Sequence, residues 1–148
     1  MSMSNAFETQ ILNHIFNNAA IANIGDAGGL QPSATAGSLA VSLHTGDPGE
    51  GGNQGTSETV YTNYTRIGVV RSGAGWTVSG NTASNTALVQ FPQCGATGAA
   101  ITYVGIGVSG TAGDTGVLLY SGQLSSSLTV ANLIQPQFAA GDIDVVAD

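Results

Sequence analysis

The side chains able to do chemistry are few, and their spacing works against it. His14 and His44 are the only imidazoles in the chain, and they share no metal-ligand spacing. His44 precedes Asp47 and Glu50, a combination suited to a metal or an acid/base exchange. The intervening loop, Gly46-Asp47-Pro48-Gly49-Glu50-Gly51-Gly52-Asn53, instead favours carboxylates held in water. Cys94 follows Phe91-Pro92-Gln93 with no basic neighbour to lower its thiol pKa, and no Gly-x-Ser-x-Gly nucleophile elbow occurs. Gly105-Ile106-Gly107-Val108-Ser109-Gly110 fits the dinucleotide-binding pattern letter for letter. That pattern requires a helix whose N-terminus holds the pyrophosphate, and Thr111-Ala112-Gly113-Asp114-Thr115-Gly116 does not start one. The segment therefore reads as a glycine-rich strand entering a hairpin. Asp47, Glu50, Asp114, Asp142 and Asp144 lie in or beside turns where calcium is sometimes held, but no EF-hand loop surrounds them. Trp76 with Tyr61, Tyr64, Tyr103 and Tyr120 offers the material of a carbohydrate-stacking platform, although Trp76 at period two with Val78 also reads as core. The expectation is a non-enzyme with no catalytic, cofactor or metal residues.

Charge narrows the partners. Arg66 and Arg71 are the only cationic side chains, lysine is absent, and nine acidic groups bring the formal charge to -7. A phosphate backbone would be repelled, so nucleic acid is not an expected partner. The apolar runs are short and broken by Gly, Ser or Thr, too short for a membrane-spanning helix of ~20 residues. The single Cys94 and the absence of a charged-then-apolar leader point to synthesis and folding in a reducing cytoplasm. Asn63-Tyr64-Thr65 matches a glycosylation acceptor but reads, without a leader, as ordinary strand.

The elements that must position these groups follow from periodicity. Phe7, Ile11, Ile15 and Ala19 recur every four residues, with Leu12 and Phe16 widening the stripe, which predicts a helix from about Ala6 to Ala20. Asn5 and Glu8 have the spacing of a capping box, and the Asn23 to Gly29 stretch should end the segment. After Pro32 the period becomes two. Leu39, Val41 and Leu43 alternate with Ala40, Ser42 and His44, predicting a strand with one buried face. Further strands are expected at Thr59 to Val70, Trp76 to Val78, Ala87 to Phe91, Ala100 to Val108, Val117 to Leu124, Leu128 to Val130 and Ile143 to Val146. The fold class is thus mainly β, an antiparallel β-sandwich or jelly-roll-like domain with an N-terminal α-helix. A single domain over 1–148 is expected, with a helical arm over about 1–24 and a β domain over about 37–148.

The order of segments resembles small virion structural proteins of tailed bacteriophages, of the tail-fibre-like and head-decoration type. The resemblance is carried by the opening helix Phe7 to Phe16, by Gly37-Ser38-Leu39-Ala40-Val41-Ser42-Leu43-His44-Thr45-Gly46-Asp47-Pro48-Gly49, and by Glu58 to Val70. It continues through Gly75-Trp76-Thr77-Val78, Asn85 to Pro92, Ile101 to Gly107, Leu118 to Leu124 and Gln135-Pro136-Gln137-Phe138-Ala139-Ala140-Gly141. It implies a virion component without enzymatic residues. A capsid decoration (cement) protein bound to the major capsid protein is the first expectation; a tail, collar or fibre component and a carbohydrate-binding module are the alternatives. A homo-oligomer, a trimer for preference, is expected from the apolar helix stripe. Phe7, Ile11, Ile15 and Phe16 are the candidate partner-binding residues.

Overall fold

The computed structural model describes residues 2–147. Among them the elements run α1 (Asn5–Asn17), β1 (Ser38–His44), β2 (Ile67–Val70), β3 (Trp76–Ser79), β4 (Thr82–Asn85), β5 (Val89–Gln90), β6 (Ala99–Gly107), β7 (Leu118–Val130), β8 (Gln137–Phe138) and β9 (Asp144–Val146). The chain is mainly β, with antiparallel sheets and one N-terminal helix, as the periodicities indicate. It divides into two compact units, neither contiguous in sequence.

The first unit comprises residues up to Ser38, Val69–Leu88 and residues from Phe138 on. Its helix starts one residue earlier than the predicted cap: Ser4, not Asn5, is the N-cap, and its side chain accepts from the Phe7 N–H. It ends at Asn17 because Asn18 takes a left-handed conformation (φ 52°), which stops the helix short of Ala20. Arg71 completes that end. Its guanidinium donates to the carbonyl oxygens of Ile15 (2.6 Å), His14 (2.7 Å) and Ala36 (3.2 Å), placing a cation on the negative pole of the helix.

The helix stripe packs on β3 and β4. Leu12 and Phe16 are fully buried, and Phe16 meets Trp76 edge-on with ring centroids 4.7 Å apart. β3 and β4 form a hairpin in which Ser79 faces Thr82, and β9 completes the sheet through Thr82 opposite Val146. Strand β4 has no large apolar side chain to announce it. Asn85 anchors its end: the buried amide donates to Ala87 O and Ala139 O and accepts from Ile143 N–H, so a buried polar group is satisfied on both of its ends.

The second unit comprises Leu39–Gly68 and Val89–Gln137. Its centre is the antiparallel run β1–β6–β7. Strand β1 is buried on both faces from Leu39 to His44, not on one as its alternation suggests. Val41, Leu43 and Ile106 share the apolar face, while Ala40, Ser42 and His44 lie under polar loops on the other. The stretch predicted as a strand from Thr59 forms regular structure only from Ile67. Asn63 stands there at φ 79°. Tyr61, Tyr64 and Phe91 form an aromatic ladder, with Tyr61 edge-on to Tyr64 (5.3 Å) and Tyr64 stacked on Phe91 (6.2 Å).

Strand β7 unites two segments expected to be separate, and the gap between them survives as a register shift. Leu128 faces Ile101 but Gln123 faces Tyr103, so the intervening residues of β7 bulge past Thr102.

Candidate functional site

The strongest concentration of polar chemistry lies in the second unit, on the face of the sheet that carries Ser42 and His44. The Ser42 hydroxyl and His44 Nε2 are 2.9 Å apart, and His44 Nδ1 is 2.9 Å from the Thr56 carbonyl oxygen. A serine, an imidazole and an orienting acceptor in line have the form of an activated nucleophile. Both side chains are 0 % exposed, however, so no substrate carbonyl reaches the hydroxyl. Burial lowers the His44 pKa; the Thr56 carbonyl and the Glu58 charge oppose this only in part, and the Arg66 charge adds to the lowering. The neutral ring therefore serves as a peg, fastening the loop after β1 onto the sheet.

The glycines of the dinucleotide-like motif explain how the peg fits. Gly105 pairs with Ser42 and Gly107 with Ala40. A Cβ on Gly105 would stand 2.6 Å from His44 Nε2 and 2.7 Å from Ser42 Oγ, and one on Gly107 would stand 2.2 Å from Gln54 Cδ. These glycines make room for side chains and not for a pyrophosphate. Gln54, itself fully buried, fills the space over Gly107. It accepts from Ser109 N–H at 2.7 Å and donates to Ser109 O at 3.3 Å.

Beside it lies a buried ion pair. Arg66 Nε donates to Glu58 Oε1 at 2.7 Å and Arg66 Nη2 to Glu58 Oε2 at 2.8 Å, with side chains 0 % and 4 % exposed. Two further guanidinium hydrogens reach Ser109 O (2.9 Å) and Asp114 O (2.7 Å). Tyr64 donates to Glu58 Oε1, as does Gly113 N–H to Oε2, each at 2.8 Å. Burial pushes the Glu58 carboxyl up, but Arg66, Gly113 and Tyr64 together hold it below the ordinary value. Burial also raises Tyr64, and raises Tyr61 to about 12. Asp114 is lowered chiefly by the Ser109 hydroxyl it accepts from. The network ties the loops around 54–58, 64–66 and 109–114 together. Its polar groups are directed at one another, the arrangement of a structural lock.

Several residues named from the sequence fall elsewhere. His44 bonds to Ser42 and Thr56 and to neither Asp47 nor Glu50; Asp47 accepts from Gly49 N–H in its own turn. Cys94 is buried, with its thiol donating to Thr97 O. Among the described residues no three His, Cys, Asp or Glu side chains come together as a metal site. A stacking platform centred on Trp76 is ruled out by burial: Trp76 is 0 % and Tyr61 2 % exposed, and Tyr64 lies against Phe91. On α1, Phe7, Ile11 and Ile15 are half-buried while Phe16 is wholly inside its own unit. In the sequence Arg66 was visible only as part of the strand expected from Thr59 to Val70, and Glu58 only as the residue before it. The one available signal was that an arginine in so uncharged a chain needs a carboxylate.

Among the described residues no helix is long and apolar enough to cross a membrane. No individually curated protein matches the chain in sequence. The model of the family described as "Podophage GP4 fiber I protein gp80" matches residues 2–146. A β-rich chain whose polar residues serve internal fastening, matched over almost its whole length, belongs to that family and with it to the structural proteins of phage virions.

Proposed function

We propose that this protein is a building block of the fibre of a podophage-type virion, joined to neighbouring virion proteins and to further copies of itself, a trimer for preference. The match of the fibre-protein family over residues 2–146 carries this reading. It favours the tail side of the particle over the head-decoration role, and with it a tail protein over the major capsid protein as partner. No catalytic step is part of the proposal.

The disposition of the two arginines supports the mode of attachment. Arg66 is closed inside its ion pair and Arg71 is held by three backbone carbonyls. An interface built by this chain therefore rests on neutral polar and apolar surface, to which the half-buried Phe7, Ile11 and Ile15 contribute. Gold-labelled antibody against the protein on intact particles tests the location: label along the tail appendages is expected, and label over the head faces would replace the fibre assignment with head decoration. Release between ~50 and ~500 mM salt, where surface charge pairs are screened, would overturn the neutral interface.

A further inference from the structure

The loop that follows β1 leaves an open groove of ≈ 460 Å³ against β6 and β7, within the second unit, lined in part by Asp47, Glu50, Tyr103, Leu118, Ser121 and Gln123. The strand register says which side chains share it. Tyr103 stands between His44 and Gln123, and Gly105 between Ser42 and Ser121. Tyr103, Ser121 and Gln123 therefore project from the face to which His44 pegs the loop. The loop itself is held in place by that peg, by Asp47 accepting from Gly49 N–H, and by Asn53 N–H donating to Thr56 Oγ1.

This lining differs in kind from the rest of the unit. The buried polar side chains of the lock are bonded to one another. Around the groove, the Tyr103 phenol, the Ser121 hydroxyl, the Gln123 amide and the Glu50 carboxylate make no side-chain hydrogen bond to any described residue. They converge on one space with acceptors, donors and a half-exposed ring, and no cation accompanies them. Arg66, the only basic residue of the unit, is sealed in its ion pair.

We propose that this groove binds a neutral saccharide. Carboxylates such as Glu50 accept charge-assisted hydrogen bonds from neighbouring sugar hydroxyls. The Gln123 amide serves either polarity, and the Tyr103 ring and Leu118 receive the C–H face of a pyranose. Phosphorylated, sulfated and acidic sugars are disfavoured by the two carboxylates and the missing cation. The aromatic chemistry for sugar binding is thus present in the chain, in a groove at Tyr103 and not on the buried Trp76.

The test titrates the intact protein with neutral oligosaccharides of glucose, galactose, mannose and N-acetylglucosamine, in EDTA, following backbone amides by NMR. Shifts confined to residues 47–52, 103 and 118–123 are expected. Tyr103→Ala and Glu50→Gln should each weaken binding about tenfold, while Tyr103→Phe, which keeps the ring, retains more of it. Unchanged spectra elsewhere certify that each variant is folded. Absence of shifts at saccharide concentrations up to about 10 mM, shifts at another surface, affinity unaltered by both variants, or a response to calcium chloride alone in EDTA-free buffer would each overturn the proposal. The measurement uses the isolated protein, so its result stands apart from where the protein sits on the particle.

Discussion

Arg66 and Glu58 meet through two parallel hydrogen bonds of 2.7 and 2.8 Å with both side chains withdrawn from water. Such a pair holds three loops in register because it is bonded in addition to Ser109, Gly113, Asp114 and Tyr64. Removing one member leaves the other charged and unpaired. Arg66→Ala or Glu58→Ala should each cost about 3 kcal/mol, whereas the double replacement should cost less than the sum. Urea denaturation of the four proteins in a double-mutant cycle checks this.

Acid should destabilise the protein in two stages. The folded His44 pKa is lowered from its ordinary 6.5, so the unfolded chain binds the proton first and stability falls as pH drops below about 6.5. The Glu58 pKa is lowered from its ordinary 4.5; its contribution is present above that value and lost as pH falls through the folded pKa. Urea midpoints from pH 7.5 to 3 should show both declines, and His44→Asn should flatten the upper one.

Gly105→Ala forces a methyl group against His44 and Ser42 at 2.6 and 2.7 Å. Overpacking of this kind costs about 1–3 kcal/mol. In a His44→Ala background the added cost should be smaller, since the nearer clash is gone. Thermal unfolding of the single and double variants measures the difference.

Phe16→Ala should remove about 3–5 kcal/mol, because the ring is fully buried against Trp76. The emission of Trp76 should be blue-shifted and little quenched by acrylamide in the parent, and red-shifted in the variant. Deleting α1 should on the same ground unfold its unit and not merely detach an arm; loss of virion attachment with unit spectra intact would contradict this.

What the sequence disclosed and what it hid follow one physical division. The stripe of α1, the strands β1, β3, β6 and β9, and the break within β7 were legible because apolar periodicity reports burial directly. Strand β4 was not, since Thr82–Asn85 is held by β3, β9 and the Asn85 amide and not by its own hydrophobicity. The run from Thr59 had strand composition, yet Tyr61, Tyr64 and Arg66 serve distant partners that no local pattern encodes. The same holds for the site residues. The pairing of Glu58 with Arg66 arises from tertiary approach, whereas Ser42 and His44 are period-two neighbours on one face of β1 whose bond became evident only with their burial; Tyr103 stays half-exposed while packing encloses Trp76.

The first unit joins strand β4 to β9, near the far end of the chain, while its helix rests on β3 and β4. During synthesis, which runs at roughly 5–20 residues per second, the helix emerges early and its sheet stays unfinished until β9 leaves the ribosome. The second unit, which lies entirely upstream of that strand, has its residues in hand sooner. The helix therefore waits for its sheet to be completed, and the wait exposes Leu12 and Phe16 to whatever the cell offers.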